Sequence, residues 1–319
     1  MVGHLLLIAV LLVGALMTLA GVLAPIHPAA DFANHFRPYT FAGTVALLVC
    51  ALALRVPWAA GWSAVLVGLN VALLALPLLW AAESAQRRAA GQALAAGENR
   101  DLKIVTFNMR FEEAGRVARF LVEEDADIVV LQEAGARDAS ALGALLRDRY
   151  PHRHSCGVAH RCAAAIFAKR AWVASGLEPW TKDGPELVWV EFNDRQIGRL
   201  RVVGVHLALP FRPGQQIRHV DRLIALRDQL TAPAIFAGDF NMTPWSYHLQ
   251  RLLSSAGMRQ HATLLRSWPT DGQFRLPIPT FPIDHVITTP DIRTVSIRTG
   301  PNLGSDHLPV IAVLRLPPR

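Results

Sequence analysis

The sequence predicts a layered α/β domain carried behind membrane-spanning helices, and three observations predict it. The first 82 residues hold three long apolar stretches without a charge. At Glu83 the composition turns polar. From Lys103 onward, short apolar strands alternate with amphipathic helices. The chain of 319 residues is 52% hydrophobic with a mean hydropathy of +0.27. That is high for an enzyme wholly in water, and the excess lies in the N-terminal part.

The first stretch, residues 5–24 (LLLIAVLLVGALMTLAGVLA), has about the ~20 residues needed to cross a bilayer. The second is PYTFAGTVALLVCALAL, residues 38–54. The third, residues 58–82, contains Asn70 and Pro77 but no charge, and Trp58, Trp62 and Trp80 fall near its ends, where indoles favour the interface. A cleaved leader would explain the first stretch alone. No Lys or Arg precedes it, however, and two more follow. The expectation is a three-helix membrane anchor over 1–82, a polar, Ala-rich linker over 83–100, and a globular domain over 101–319.

Five of the 32 basic and three of the 25 acidic residues precede Asp101, leaving 27 and 22 in the domain, a net of +5. That suits an anionic substrate or anionic lipid headgroups but is too mild to argue for nucleic acid. With three spans, the loop carrying Arg37 lies on the domain's side and the Arg55 turn on the other. Arg37, Arg87 and Arg88 against Arg55 would put the domain in the cytoplasm. The cysteines lean the other way. Cys50 sits inside a span, leaving Cys156 and Cys162 around a Gly-containing turn (SCGVAHRC). A hairpin there would bring them into bonding range and imply an oxidising compartment; two unrelated thiols fit the spacing equally well.

Within the domain, KIVTFN (103–108) alternates as a strand. Residues 116–124 have helical spacing, with Val117, Phe120 and Leu121 on one face. DIVVLQE (127–133) is a continuous apolar run, as in a strand covered on both sides. Residues 139–149 read as a helix, followed by strands at 162–168, 187–192 and 200–207. An amphipathic helix covers 215–230 and AIFAGDFN (234–241) is a strand. Then come a helix near 246–256 and strands at 283–288 and 308–315.

Polar residues recur where these apolar runs end, and strand ends are where α/β folds gather sites. They are Asn108, Glu133, His206, Asp239 with Asn241, Asp284, and Asp306 with His307. Each alone has an ordinary reading as a turn or solvated residue. Asp239 and Asn241 are sharper: at i and i+2 of a strand they share a face, with Phe240 turned into the core. His152, His154 and His160 do not repeat on a helical face and read as a solvated hairpin rather than a metal cluster. Phe211 and Trp245 read as core packing, and His285 as a residue of the opposite strand face. Asn70 reads as a hydrogen-bonding residue between membrane helices.

Taken in order, TFNMR, VVLQE, VVGVH, AGDFN, IDHV and GSDH resemble the endonuclease/exonuclease/phosphatase superfamily, the deoxyribonuclease-I-like fold, from Lys103 to the end. The three spans ahead resemble a bacterial membrane-anchored subgroup that includes teicoplanin-resistance-type proteins. The resemblance implies a four-layer α/β sandwich, two packed mixed sheets with outer helices. It also implies a metal-dependent hydrolase of phosphate ester bonds. Glu133, with Asn108 and Asp306, would hold Mg²⁺ (Mn²⁺ as an alternative). Asp239, helped by Asn241, would activate water; Asp284 would orient His307 on the phosphate; and His206 would contact phosphate or the leaving group.

The expected function is therefore a phosphoesterase at the cell membrane, multi-pass, with an extracytoplasmic domain and a phosphate-ester substrate that includes lipid pyrophosphates. The alternatives are a nuclease on the same fold and an inactive membrane-bound binding module. A nuclease needs extended basic surface, and no Lys/Arg-rich block is present.

Overall fold

The computed structural model describes residues 2–92, 100–110, 112–155, 162–262, 264–270 and 281–317, with backbone alone for 2 and 77–92. The chain opens with helix α1 (Val2–Val22), a 3₁₀ turn at Pro28–Asp31, a single-turn helix α2 (Phe32–His35), α3 (Arg37–Ala53) and α4 (Pro57–Gln92). Helix α1 and the Pro57–Leu76 part of α4 are long and apolar enough to cross a membrane. The Pro28–His35 and Arg37–Ala53 helices pass only as a pair bent by 63°. The three apolar stretches thus supply two helices long and apolar enough to span, or three if the bent pair counts as one. Helix α4 also runs through the expected linker as far as Gln92. Asn70 does join two apolar helices, its amide on α4 donating to Thr18 Oγ1 of α1 at 2.9 Å.

After Asp101 come β1 (Asp101–Asn108), α5 (Ala114–Glu124), β2 (Ile128–Gln132), α6 (Ala136–Leu145), β3 (His152–Ser155), β4 (Ala165–Ala168), β5 (Ala174–Glu178), β6 (Glu186–Asp194) and β7 (Gly198–His206). Then follow α7 (Pro213–Asp228), β8 (Ala234–Asp239), α8 (Tyr247–Ser255), β9 (Arg259–Gln260), β10 (Asp284–Thr288), β11 (Arg293–Thr299) and β12 (Val310–Arg315). They form two six-stranded mixed sheets, ordered β11-β12-β1-β2-β4-β3 and β5-β6-β7-β8-β10-β9. The expected strands are all present. Strands β5, β9 and β11 were not expected: β9 has two residues, and β5 and β11 are sheet edges whose residues are mostly exposed or half-buried, so they carry no apolar run.

Strand alternation builds the layers. Leu102, Ile104, Ile128 and Val130 face Val188, Val202 and Ile235 between the sheets. Their neighbours Val105, Phe107, Val129 and Leu131 pack outward on Val117 and Leu121 of α5 and Leu142 of α6. On the far side Val203, Val205 and Phe236 pack on Val220 and Leu223 of α7 and Leu249 of α8. This is the four-layer α/β sandwich.

Each sheet contains one parallel pair, β1 with β2 and β7 with β8. Their register sets Asn108 beside Gln132, the residue before Glu133, and His206 beside Asp239. Antiparallel neighbours add Glu186 opposite His206 and Asp284 opposite Asp239. One edge of the sandwich therefore collects the polar strand ends.

Candidate active site

A cleft of about 810 Å³ opens at that edge, lined among others by Glu133, Glu186, His206, Asp239, Asp306 and His307. Asn108 ties its two halves: the side-chain amide donates to Glu133 Oε1 at 3.0 Å and to Asp239 Oδ2 at 3.1 Å. His206 Nε2 lies 3.9 Å from Glu133 Oε1 and 3.8 Å from Asp239 Oδ2. His307 Nε2 lies 3.7 Å from Asp239 Oδ2, while its Nδ1 bonds Asp284 Oδ2 at 2.8 Å. Asp284 is fixed in turn by Ser267, whose hydroxyl donates at 2.6 Å. Side chains spread over two hundred positions meet here, as expected.

Burial sets the electrostatics. It pushes the Asp239 carboxyl up to about 6, the His307 charge pulling the other way. Burial alone would hold the His307 imidazole neutral, yet the carboxylates of Asp284 and Asp239 outweigh it and raise the group to about 10. Across β6, burial also raises Glu186, one oxygen of which accepts from the Ala163 N–H at 3.0 Å.

Asp239 and Asn241 converge, but not as alternate residues of a strand. Strand β8 stops at Asp239, and Asn241 takes a left-handed φ of 51°. Its N–H donates to Asp239 Oδ1 at 2.8 Å, a local turn closed by the side chain. Glu133 and Arg110 are left-handed too, with φ of 52° and 43°. Three of the five such non-glycine residues among the described ones lie at this cleft, where such strain concentrates. Gly238, at φ 152°, is required for close approach: a Cβ there would run into the Val205 carbonyl oxygen.

Asp306 lines the cleft as expected, held by the Trp268 indole N–H at 3.1 Å and by Arg110 at 3.3 Å. Asp239, Asp284 and His307 present ligand atoms within 4.8 Å of one another. Within this group only His307 and Asp284 are hydrogen-bonded, the imidazole Nε2 standing 3.7 Å from Asp239 Oδ2. Nδ1 of His307 is committed to Asp284, and an imidazole held cationic repels a metal ion. Glu133 and Asp306 bring carboxylate oxygens, the donor type that suits a hard divalent ion, to the same cleft, while the Asn108 side-chain oxygen accepts from the Arg110 N–H at 3.2 Å.

Other expectations fare variously. His285 is structural, its ring bonded to the Met242 carbonyl at 2.7 Å and to Gln260 at 2.9 Å. His152 and His154 lie on β3, and His160 lies outside the described residues. Phe211 is corrected: it is 64% exposed and lines the cleft rather than packing in the core. Cys162 is disulfide-bonded and Cys50 is a free thiol, while Cys156 lies outside the described residues. Sequence reasoning missed Glu186, Trp268, Arg110 and Ser267. Glu186 alone carried a signal, a carboxylate heading the apolar run LVWVEF.

Paired mixed sheets with an acid–imidazole cleft at one edge define a phosphoesterase or nuclease fold. Residues 105–307 match the Endonuclease/Exonuclease/phosphatase family, and the chain belongs to it. No curated protein matches the chain. Among solved structures, a family protein from Bacteroides vulgatus is 21% identical, with 68% of this chain and 99% of that one covered and a TM-score of 0.56. The family protein from Beutenbergia cavernae is also 21% identical, covering 68% and 72%, with a TM-score of 0.55. Sphingomyelinase C from Streptomyces griseocarneus is 20% identical, covering 67% and 99%, with a TM-score of 0.51. At these identities the likeness is one of fold.

Proposed function

We propose that this chain is a membrane-anchored, divalent-metal-dependent phosphoesterase that hydrolyses a phosphorylated, lipid-linked substrate by water attack. The observation that carries it is the meeting of Glu133, His206, Asp239 and His307, a chain in which each residue lies within 4 Å of the next. Glu133, with Asn108 and Asp306, would hold Mg²⁺ (Mn²⁺ as a substitute), which neutralises phosphate charge and so eases nucleophilic attack. Asp239, buried and raised towards neutrality, accepts the proton of the attacking water. Its second role is to hold Asn241, whose amide nitrogen donates to the Leu207 carbonyl at 3.0 Å and fixes the turn. His307, kept cationic by Asp284, binds the phosphate oxygens as charge builds on them. His206 stands between Glu133 and Asp239, placed to contact the phosphate or give a proton to the departing oxygen.

Contacts between anchor and domain support a multi-pass topology. Asp31 on the segment after α1 bonds Ser246 of the catalytic domain at 2.6 Å, so both lie on one side of the bilayer. If α4 crosses on its way to the domain, α3 must cross back, giving three spans. The disulfide at Cys162 supports an extracytoplasmic domain, against the small excess of arginines on that side. Full-length protein in detergent with Mg²⁺ is screened against lipid pyrophosphates, phospholipids and oligonucleotides. Phosphate release from a lipid, reduced at least about a hundredfold by Glu133→Gln, is expected. Undiminished turnover in the variant refutes the reading, and plasmid cleavage at physiological salt would favour the nuclease.

A further inference from the structure

The catalytic cleft is not built by the catalytic domain alone. The segment joining α1 to α3 reaches over its rim: Phe32, His35 and Phe36 line the same cleft as Asp239 and His307. The segment is seated, not draped. Asp31 is buried, 1% exposed, and takes four donors: Ser246 Oγ at 2.6 Å, the N–H groups of Tyr247 at 2.7 Å and His248 at 3.2 Å, and Asn34 at 2.7 Å. A carboxylate thus caps the N-terminus of α8, where the helix dipole and free N–H groups favour it. Next to it His35 Nδ1 accepts from the Thr243 N–H at 3.3 Å. The anchor is locked to the loop that follows Asp239.

From this seat aromatic rings run inward without a break. Phe32 meets Phe36 with centroids 5.1 Å apart, Phe36 meets Phe281 at 5.6 Å, Phe281 meets Trp268 at 5.8 Å, and Trp268 meets His307 at 6.4 Å. Phe32 is 42% exposed, and Leu209 and Phe211 on the domain side are 39% and 64% exposed. The row begins on a segment between the apolar helices α1 and α3 and ends at the imidazole assigned to the phosphate. Nucleobases stack on aromatic rings as well, but the domain has no Lys/Arg-rich block to track a phosphate backbone beside them. An apolar chain attached to a phosphate fits it in order.

We propose that the segment Pro28–Phe36 is a wall of the active site, and that Phe32 and Phe36, with Phe281 and Phe211, form the subsite for the apolar chain of an amphiphilic phosphate ester. The inference rests on the phosphoesterase reading for the orientation of the head group. Selectivity for lipid-linked over water-soluble phosphates is then a property of the membrane anchor itself.

Two measurements on the full-length protein in detergent test it. The first compares isopentenyl, geranyl and farnesyl pyrophosphates, which share a head group. The parent's kcat/KM should rise by about a hundredfold or more with chain length, since each added isoprene unit buries further apolar surface. Phe32→Ala/Phe36→Ala should cut the farnesyl-to-isopentenyl ratio at least about tenfold. A ratio equal to the parent's overturns the subsite. The second measurement needs no turnover. Farnesyl pyrophosphate carrying a diazirine on its last isoprene unit is photolysed on the Glu133→Gln protein, and labelled peptides are read by mass spectrometry. Labelling of residues 28–36 that excess farnesyl pyrophosphate suppresses, and farnesol does not, is expected. Labelling of 28–36 without hydrolysis of any ester by the parent leaves the subsite standing and removes the phosphoesterase reading. Hydrolysis without labelling of 28–36 removes the subsite alone.

Discussion

Replacing Asp284 by Asn removes one negative charge from the site and little else. The carboxylate accepts from Ser267 Oγ at 2.6 Å and faces His307 Nδ1 at 2.8 Å. Both contacts fall on Oδ2, and an amide oxygen placed there can accept from the serine hydroxyl and the imidazole N–H alike. What goes is Coulomb attraction. At 2.8 Å and an effective dielectric of about 20, a unit pair is worth about 6 kcal/mol, or roughly 4 pK units at 1.36 kcal/mol each. That is of the size needed to lift a buried imidazole to about 10 against desolvation. With Asp284 neutral, burial wins and His307 is uncharged at pH 7. A cation aimed at the developing phosphate charge contributes about 3–4 kcal/mol, so kcat should fall by about 10² to 10³-fold. The assay is phosphate release in the full-length protein, with His307 followed by the pH dependence of the rate and folding followed by circular dichroism. A folded Asp284→Asn variant whose kcat lies within threefold of the parent would refute the assignment of His307 as a charged phosphate ligand.

Three further outcomes follow from the same geometry. Asp239 must be ionised to take a proton, and its carboxyl is raised to about 6, so kcat/KM should fall as pH drops through about 6; a rate flat down to pH 4.5 would exclude Asp239 as the base. Gly238→Ala drives a methyl group into the Val205 carbonyl at a backbone angle only glycine adopts easily. It should destabilise the domain by about 3 kcal/mol or more, and a thermal melt within a degree or two of the parent would contradict this. Cys162 should resist maleimide labelling in unreduced membranes while becoming labelled after reduction and unfolding. Ready labelling beforehand would count against an oxidising compartment.

Much of the molecule is legible in one dimension because it depends on local periodicity. Uncharged runs of bilayer length mark α1 and α4, and continuous apolar runs such as IVVLQ mark strands covered on both faces. The polar residue that breaks each run, Asn108 after KIVTF or Asp239 after AIFAG, marks the edge where runs end. Edge strands were missed for the same reason: RTVSIRT and ASGLE bury too little to carry a pattern.

Sequence by itself determined the residue types of the site and the apolar spans, since both are written in the identity and spacing of neighbours. Only the tertiary structure decided that Asn108 bridges Glu133 to Asp239, that Trp268 and Arg110 hold Asp306, and that Asp31 of the N-terminal segment caps a helix more than two hundred residues away. Such contacts join groups whose separation along the chain bears no relation to their separation in space. Phe36 reads as one more apolar residue beside a membrane helix until packing sets its ring against Phe281, at the mouth of a cleft that neither segment forms alone.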